Sequence, residues 1–442
     1  MHLLKDKKEL YITIFLLVFI IGIRLCLIFY LYPDKERIYN GDSAHYEGLA
    51  LKFLKNGSYE YPPAGRFSDM IRPPAYPVLI MLTYLIAGIG NFIFLLFWNV
   101  AGVVFLFFGI HALFRRLNRQ PHFITLLVFS SDLAWILYSK EILTEPIYTP
   151  IQLWGIIFLL DGIQKRSLKF LIFSAIFTGI SALIKPVSLY FPLIGIVILM
   201  INRITWKWSA VYLITFIFII FPWLFRNYLH HHVWSFTRIQ NNNIAVAHSA
   251  FLFSEIHNLT FLESKDSIIK SVYQGIDRRN ISYKTEDSLL SSFARKFLLQ
   301  HPFLYIKAIG RGMLITLFDP GRLVVNRTFP REDPEKMGFT NSLGKVGISG
   351  TLKLLLKKDP THVIILISYL CFLCFFNGIA LAGIFPFLSK NKNELIILSL
   401  VFFYFWITGG PNGNDRFRLY LFPLILVYFD FGWQWARQKF LH

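Results

Sequence analysis

Charged residues and cysteines are both scarce in this chain of 442 residues. Only 16% of the residues are charged and three are cysteines, whereas 55% are hydrophobic and 17% aromatic. Soluble globular domains average about 25% charged residues, so this composition excludes an ordinary soluble fold. Cys26, Cys371 and Cys374 all lie inside apolar runs. We interpret them as small buried hydrophobic residues, and not as a disulfide framework or a metal or redox site.

Apolar stretches long enough to cross a bilayer recur along the sequence. A helix needs about 20 apolar residues to span the roughly 30 Å hydrocarbon layer. The first run is too long for a signal peptide and lacks a small-residue cleavage site, so we expect it to be retained. Arg24 lies in the middle of this run, and we expect its side chain to face the helix bundle. We therefore predict an all-α integral membrane protein with about ten transmembrane helices. The predicted spans are 11–31, 92–114, 122–139, 146–162, 167–185, 187–202, 209–226, 362–387, 394–408 and 418–436.

The basic residues behind the net charge of +19 lie mainly in short loops between these runs. Lysine and arginine favour cytoplasmic loops and anionic lipid headgroups, so we expect membrane contact and no nucleic-acid binding. All of the short basic loops lie in the cytoplasm if the chain has ten spans. These loops are 5–8, 115–120, 164–169, 202–207, 389–392 and 436–439.

This topology leaves two long segments on the outer side. The stretch 73–90 is predicted to be a juxtamembrane or re-entrant helix there, because a full span would place the basic loop 115–120 outside. Within the second segment, 293–318 has helical periodicity with interleaved cations, which is typical of a helix on the membrane surface or of a lid packed on the bundle. The expected parts are a first span (1–31), a first outer loop with juxtamembrane helices (32–91), a bundle (92–226), a large outer loop with interfacial helices (227–361) and the C-terminal spans (362–442).

Carboxylates occur at two of the predicted outer helix ends. Ionisable groups are costly in hydrocarbon unless water, a partner or a substrate compensates them. Asp42 precedes a one-sided apolar pattern and is predicted to cap a helix that begins near Ser43. Glu141 and Glu145 are predicted to lie one helical turn apart at the end of a span. Helix capping and solvated turn residues are the alternatives to a functional site at these positions.

Cations occur at three further outer ends. Lys185 lies between two apolar runs, Arg226 follows Trp223 at the end of a span, and Arg416 and Arg418 precede the last span. For Lys185 and Trp223, snorkelling to headgroups and an interfacial aromatic belt explain the sequence equally well. Two arginines on the outer side oppose the positive-inside tendency, which indicates an anionic partner.

This set of residues has the chemistry needed for transfer from a lipid-linked phosphate donor. A carboxylate such as Asp42 or Glu145 can take the proton of an acceptor hydroxyl as it attacks. Fixed cations can stabilise the phosphate that departs. A divalent metal held by Asp42 and Glu145 could do the same.

Six stretches occur in the order seen in a known class of membrane enzyme. They are "GDSAHYEGLALKFLKNGSY" (41–59), "RPPAYPVLI" (72–80), "SKEILTEPIY" (139–148), "GISALIKPVSLYFP" (179–192), "PWLFRNY" (222–228) and "DRFRLYLFPLILV" (415–427). The order resembles the multi-span, GT-C-type glycosyltransferases that use polyprenyl-phosphate sugars. These include the dolichyl-phosphate-mannose protein mannosyltransferases and the aminoarabinose transferases that modify lipid A.

The resemblance implies transfer from a polyprenyl-phosphate sugar on the outer face, with inversion at the anomeric carbon. By position, Asp42 corresponds to the implied catalytic base, and Glu145 to a second acidic residue that positions the acceptor or a metal. Arg416 and Arg418 correspond to the arginines before the last span and are expected to bind the donor phosphate. The further candidates for substrate binding are Lys185, Arg226, His45, Tyr46, Arg72 and Tyr76.

Two departures from the pattern narrow the expected acceptor. Ser43 follows Asp42 where the protein mannosyltransferases have an Asp-Glu pair, and the chain ends soon after its last span, without the soluble domain of the aminoarabinose transferases. We therefore expect a bacterial inner-membrane enzyme whose active site faces outside and whose acceptor is a lipid or polysaccharide. The alternative is a transporter or flippase of a lipid-linked sugar, but transporters favour internal repeats and midplane ionisable residues.

Overall fold

A computed structural model describes residues 7–61, 67–277, 281–329, 360–390 and 392–440. The described residues contain helices and no β-strand, which confirms the all-α prediction. The predicted large outer loop 227–361 is described only in part. The α-helices are α1 (Lys7–Leu31), α2 (Lys35–Ile38), α3 (Gly41–Asn56), α4 (Ala75–Ala87), α5 (Phe92–Arg116), α6 (Phe123–Ser131), α7 (Leu133–Tyr138), α8 (Glu145–Gln164), α9 (Leu168–Ile184), α10 (Phe191–Ile201), α11 (Trp206–His231), α12 (Ile239–Asn242), α13 (Ser249–His257), α14 (Phe261–Val272), α15 (Tyr283–Gln300), α16 (Pro302–Phe318), α17 (Arg322–Thr328), α18 (Pro360–Lys390), α19 (Lys392–Ile407) and α20 (Asp415–Phe440).

The chain is an integral membrane protein. In the described part, five helices are long and apolar enough to cross a membrane, namely α1, α5, α8, α11 and α18. Shorter apolar segments coincide with α4, α9, α10 and α19, so the number of ten spans stays a prediction. The 13 residues of α4 are about 20 Å long, which is shorter than the hydrocarbon layer, and the juxtamembrane or re-entrant placement of 73–90 stays a prediction.

The predicted span 122–139 is not one helix. Asp132 separates α6 from α7 and caps α7 by accepting a hydrogen bond from the backbone N–H of Trp135 at 2.9 Å. Its second oxygen accepts from the hydroxyl of Tyr369 at 2.7 Å. A capping aspartate competes with the helical backbone for hydrogen bonds, so it interrupts the helix. Arg24 is completely buried in the bundle, as predicted.

All three cysteines are free and exposed. The prediction that Cys26, Cys371 and Cys374 are buried is therefore wrong. They lie on α1 and α18, two long apolar helices that are mostly unburied within the protein. Lipid tails are as apolar as a protein core, so an apolar sequence context does not distinguish a buried position from a lipid-facing one.

Helix α20 is the centre of the bundle. Nearly every residue from Arg418 to Gly432 is buried, as expected for a helix enclosed by others on all sides. It packs most extensively on α18 and also contacts α6, α7, α8, α16 and α19. A Cβ atom on Gly383 or Gly432 would overlap the backbone of the opposite helix. Glycine therefore allows α18 and α20 to approach each other closely.

The predicted cytoplasmic loops 115–120 and 164–169 lie together with the last turns of α20 at one end of the bundle, which we call the basic end. Arg116 at the end of α5 donates two hydrogen bonds of 2.6 Å to Asp161 near the end of α8. Asp430 of α20 accepts from the backbone N–H of His122 at 2.8 Å. Helix α8 begins at Glu145, and its 20 residues extend about 30 Å. The end of the bundle at which α8 begins, which we call the site end, is therefore about one hydrocarbon thickness from the basic end.

The described part of the large predicted loop forms a separate small core of helices. Ala245, Ala250, Ile268 and Leu290 are buried in it. The predicted continuous helix 293–318 is wrong, because the chain breaks at His301. Pro302 has no backbone N–H with which to continue a helix, so α15 ends at Gln300 and α16 begins at Pro302. Helix α15 packs in the small core, whereas α16 packs on α18, α19 and α20.

Candidate active site

Five charged side chains form a continuous series of ion pairs at the site end of the bundle. Arg416 is in the middle: its Nη1 donates to Asp42 Oδ2 at 2.6 Å and its Nε donates to Glu145. Arg72 pairs with the other oxygen of Asp42, and Lys185 Nζ lies 2.5 Å from Glu145 Oε1. Three cations and two carboxylates leave a net charge of +1. We call this series Arg72–Asp42–Arg416–Glu145–Lys185 the ion-pair network.

Asp42 lies in the first turn of α3 and does not cap it. The cap is Asn40, whose side chain accepts from the backbone N–H groups of Asp42 at 2.9 Å and Ser43 at 3.1 Å. Ser43 Oγ accepts in return from the backbone N–H of Asn40, which completes a capping box. The predicted cap at Asp42 is therefore wrong, whereas the helix begins at Gly41, close to the predicted start near Ser43. Because Asn40 satisfies the helix end, the carboxylate of Asp42 is available to the two arginines.

Glu145 is the first residue of α8 and is completely buried. A carboxylate is favoured there by the positive end of the helix dipole. Glu141 lies in the preceding turn and not on a helix, so the prediction that it lies one helical turn from Glu145 is wrong. Arg327 of α17 donates to both Glu141 oxygens, at 2.8 and 3.0 Å, and Asn40 donates to it at 2.8 Å. Glu141 thus joins α17 to the start of α3.

Aromatic side chains surround Arg72. Its guanidinium lies 4.8 Å from the ring centre of Tyr46 and donates to the Tyr46 hydroxyl at 3.3 Å. Tyr76 packs edge-on against Tyr46 with 5.0 Å between the ring centres. Both tyrosines are buried. The structure therefore brings Tyr46, Tyr76 and Arg72, three of the candidates for substrate binding, together beside Asp42.

His45 contacts the segment that precedes Arg72 in the chain and does not contact the network. Its Nε2 lies 3.3 Å from the carbonyl oxygen of Ser68, and its ring stacks on Tyr61. Burial, together with the charge of Arg72, lowers the pKa of His45 to about 4. The imidazole is therefore neutral near pH 7. Glu47 is also bound elsewhere, because it accepts from the hydroxyls of Tyr39 and Tyr84 at 2.5 and 2.6 Å.

Arg226 belongs to a second group that sequence reasoning missed. Its Nη1 lies 2.7 Å from Asp69 Oδ2, and His231 Nε2 lies 2.7 Å from the same oxygen. Burial raises the pKa of Asp69, but the hydrogen bond from His231 and the charge of Arg226 lower it below its ordinary value. Tyr59 joins the group to the network: its ring centre lies 5.7 Å from the Arg226 guanidinium, and its hydroxyl donates to the Arg72 carbonyl at 3.0 Å.

The structure does not bring Arg418 to the network. Its Nη1 donates to the carbonyl oxygens at the end of α16, and its Nη2 donates to the hydroxyl of Tyr369 at 3.2 Å. These carbonyls belong to Thr316, Leu317 and Asp319, at 3.3, 3.3 and 2.8 Å. Helix ends leave such carbonyls without intrahelical partners. The buried hydrogen bonds of Arg418 therefore connect α20 to the end of α16.

The two carboxylates of the network differ in how far their side chains are exposed. The side chain of Asp42 is 33% exposed, whereas that of Glu145 is not exposed at all. Burial raises the pKa of Asp42, but the guanidinium groups of Arg72 and Arg416 outweigh it and hold the pKa of that carboxyl well below its ordinary value. Asp42 is therefore ionised near neutral pH, and its side chain is accessible from outside the protein.

Asp42 and Glu145 do not fit a divalent metal in this arrangement. The guanidinium of Arg416 lies between the two carboxylates and binds both. Arg72 and Lys185 take further oxygen sites on them, so an added metal would face three fixed positive charges. In the described ranges, no group of three or more histidine, cysteine, aspartate or glutamate side chains could hold a metal.

No protein-family model matches the sequence, and no curated protein matches it either. Solved structures do resemble the chain. The archaeal oligosaccharyltransferase AglB from Archaeoglobus fulgidus, in complex with an inhibitory peptide and a dolichol-phosphate, has a TM-score of 0.54 and 13% identity over 98% of this chain and 51% of that one. A structure of the Archaeoglobus fulgidus oligosaccharyltransferase tethered to an acceptor peptide has a TM-score of 0.51 and 13% identity, over 98% and 50% of the two chains.

A third structure, ArnT from Cupriavidus metallidurans bound to undecaprenyl phosphate, has a TM-score of 0.40 and 13% identity, over 95% of this chain and 78% of that one. The chain spans about half the length of the two oligosaccharyltransferase chains. Nearly all of this chain aligns with them, so the likeness concerns its whole fold. The chain is thus an all-helical integral membrane protein whose fold is similar to that of the two oligosaccharyltransferase structures.

Proposed function

We propose that the chain is an inverting glycosyltransferase that moves one sugar from a polyprenyl-phosphate donor to a hydroxyl group of a lipid or polysaccharide. We place the reaction at the outer face of a bacterial inner membrane. The ion-pair network is the observation that carries this proposal, because its net charge of +1 complements the single negative charge of a sugar phosphodiester. The fold shared with a dolichol-phosphate-binding oligosaccharyltransferase supports the same class of reaction.

The donor phosphate binds Arg72 and Arg416 in this proposal. Guanidinium groups match the oxygens of phosphate as well as those of carboxylate. An arriving phosphate therefore competes with Asp42 for the hydrogen bonds that the two arginines now donate to it. Loss of these bonds moves the pKa of Asp42 back towards its ordinary value. Donor binding thereby makes Asp42 a stronger base.

Asp42 then takes the proton of the acceptor hydroxyl, whose oxygen attacks the anomeric carbon from the face opposite the phosphate. The bond between the anomeric carbon and the phosphate oxygen breaks, and its electron pair stays on the departing polyprenyl phosphate. Attack opposite the leaving group inverts the anomeric centre. The leaving phosphate gains a second negative charge, which fixed cations stabilise without reorganisation. We choose Asp42 as the base because it is partly exposed, whereas Glu145 is buried.

Glu145 and Lys185 position Arg416. Glu145 accepts from both cations at once, which keeps two positive groups together at the phosphate. Lys185 Nζ is held among aromatic rings, 5.1 Å from the ring centre of Tyr420 and 5.8 Å from that of Tyr148. Ring faces attract such a cation. Arg226 adds positive charge on the other side of Tyr59, and we assign Arg418 no contact with the phosphate.

Release of the lipid product tests the proposal. Purified protein in detergent is mixed with a synthetic polyprenyl-phosphate sugar and an acceptor extract, and free polyprenyl phosphate is measured. We expect release only when donor, acceptor and protein are all present. A flippase consumes nothing, so donor that crosses vesicle membranes while no polyprenyl phosphate appears would overturn the proposal in favour of transport.

A further inference from the structure

A polar cavity of about 230 Å³ lies at the basic end of the bundle. It is formed where the loop between α8 and α9 meets the loop between α10 and α11 and the start of α19. Its lining residues are Arg166, Ile201, Asn202, Arg203, Asn393 and Ile396. The cavity is about one hydrocarbon thickness from the ion-pair network, because α8 extends from one site to the other.

Both arginines have a backbone conformation that ordinarily selects glycine. The φ angles of Arg166 and Arg203 are 47° and 54°. Each arginine follows the end of a helix, and the next backbone N–H bonds back to the preceding turn, from Ser167 to Gly162 at 3.1 Å and from Ile204 to Leu199 at 2.9 Å. This is the turn in which glycine is preferred, since a side chain is strained there. Two strained arginines therefore face one cavity.

The positive charge in the cavity is not neutralised within the described part of the chain. Neither guanidinium has a carboxylate partner there, and Arg166 only donates to the carbonyl oxygen of Arg203 at 3.1 Å. Nearby acidic groups are occupied elsewhere: Asp161 pairs with Arg116 and Lys165, and Glu394 accepts from Gln164 and does not line the cavity. Two cations with amide neighbours make a site for an anion.

Exposed apolar side chains adjoin the cavity-lining segment 201–203 along the chain, and one of them, Ile201, lines the cavity itself. Met200 is 67% exposed, Ile201 53% and Trp206 75%. Exposed apolar side chains at a helix end lie against lipid in a membrane protein, and tryptophan favours the boundary between headgroups and hydrocarbon. An anion bound here would therefore have a hydrocarbon chain beside it.

We propose that this cavity binds the phosphate headgroup of an anionic phospholipid. Arg166 and Arg203 hold the phosphate, Asn202 and Asn393 donate to glycerol or ester oxygens, and an acyl chain packs on Ile201. Basic pockets between membrane helices are suited to such headgroups. This site is independent of the proposed transferase reaction, since it shares no residue with the ion-pair network.

Glycine substitutions give a sharp test, because they remove the cation and also relieve the backbone strain. The purified full chain in neutral detergent is titrated with dihexanoyl phosphatidylglycerol, and the unfolding temperature is measured. Dihexanoyl phosphatidylcholine and glycerol phosphate are the comparison probes. The variants are Arg166→Gly, Arg203→Gly and Arg203→Asn, since asparagine also tolerates this conformation. Lys207→Ala is the matched control, because Lys207 is an exposed cation at the same end outside the cavity.

We expect phosphatidylglycerol alone to raise the unfolding temperature of the wild type and of Lys207→Ala. Without lipid, the glycine variants should unfold at or above the wild-type temperature. With lipid, each cavity variant should lose most of the rise. A full rise in the cavity variants, or an equal loss in Lys207→Ala, would overturn the proposal. An equal rise with glycerol phosphate would overturn it too, because the ligand would then be a soluble anion.

Discussion

The first turn of α20 carries two arginines whose surroundings differ in kind. Arg416 pairs with carboxylates on two other segments, and its side chain remains 20% exposed. Arg418 is 1% exposed and donates to backbone carbonyls at the end of α16. A helix turns about 100° per residue, so positions two apart face nearly opposite directions. One arginine therefore faces the network and the other faces the core.

This difference decides which arginine a ligand can use. Phosphate and carboxylate offer a guanidinium the same kind of acceptor, so a phosphate can replace Asp42 on Arg416 with little reorganisation. The carbonyls at the end of α16 would lose a buried donor if Arg418 turned away. A ligand can therefore replace a hydrogen-bond acceptor of Arg416, whereas the acceptors of Arg418 stay in place.

The largest expected effect on the rate comes from removing the proposed base Asp42, which pairs with Arg416. Asp42→Asn keeps the shape of the side chain and removes the proton acceptor, so release of polyprenyl phosphate should fall by about 10²–10⁴-fold. The variant also loses the ion-pair stabilisation that Arg72 and Arg416 give to Asp42, so its unfolding temperature is measured and the rate is taken on folded protein. Asp266→Asn, on the exposed surface of α14, is the control and should keep the full rate. A rate within tenfold of wild type in Asp42→Asn would exclude it as the base.

A matched pair of substitutions separates the two arginines directly. Arg416→Gln should lower the turnover of the folded protein by about 10²–10³-fold. Arg418→Gln leaves buried carbonyls without their donor, which costs on the order of 2 kcal/mol of folding free energy, while the protein that remains folded keeps its turnover. Rates of product release and thermal unfolding in detergent measure both variants. The opposite pattern would show that the two roles are reversed.

The ion pairs that Arg72 and Arg416 make with Asp42 also predict how kcat/KM depends on pH. Burial raises the pKa of Asp42, but Arg72 and Arg416 hold it below its ordinary value of 3.8. The ion-pair stabilisation is therefore complete above that value and is lost only as the pH falls through the lowered pKa. Because kcat/KM reports the free enzyme, its profile should show no acid limb between about pH 5 and pH 8. An acid limb with its midpoint in this window would contradict an ionised Asp42 as the essential base.

Chelation has the smallest expected effect. Arg416 lies where a metal would bridge Asp42 and Glu145, so EDTA should leave turnover of the wild type unchanged. The assay is repeated after dialysis against EDTA and again after addition of Mg²⁺ or Mn²⁺. Activity that is lost on chelation and restored by either ion would show that a metal displaces Arg416 during the reaction.

Much of the network could be predicted from the sequence, because charged residues in so apolar a chain are rare and costly. Four of its members lie at predicted helix ends, and the structure joins all four in the ion-pair network, namely Asp42, Glu145, Lys185 and Arg416. The ion pair between Asp42 and Arg416 links residues 374 positions apart. Only the family resemblance indicates Arg72, the remaining member, since an arginine before two prolines has no distinctive pattern of its own.

The remaining features depend on local competition or on distant contacts. Asparagine and aspartate are equally good N-caps, so the sequence could not distinguish Asn40 from Asp42. Arg418 could have been separated from Arg416 by the turn of about 200° over two helical residues. Asp69 lies in a turn that carries no motif, and its partner His231 is 162 positions away. Only the fold supplies that contact.

The central claim is that the donor phosphate binds at Arg416. The most direct test is an experimental structure of the purified chain with polyprenyl phosphate, the lipid product. We predict phosphate oxygens within about 3 Å of the guanidinium nitrogens of Arg416 and Arg72, with at least one ion pair of Asp42 broken and Arg418 still on its carbonyls. A phosphate bound away from the network, with the Asp42–Arg416 pair intact, would contradict the claim.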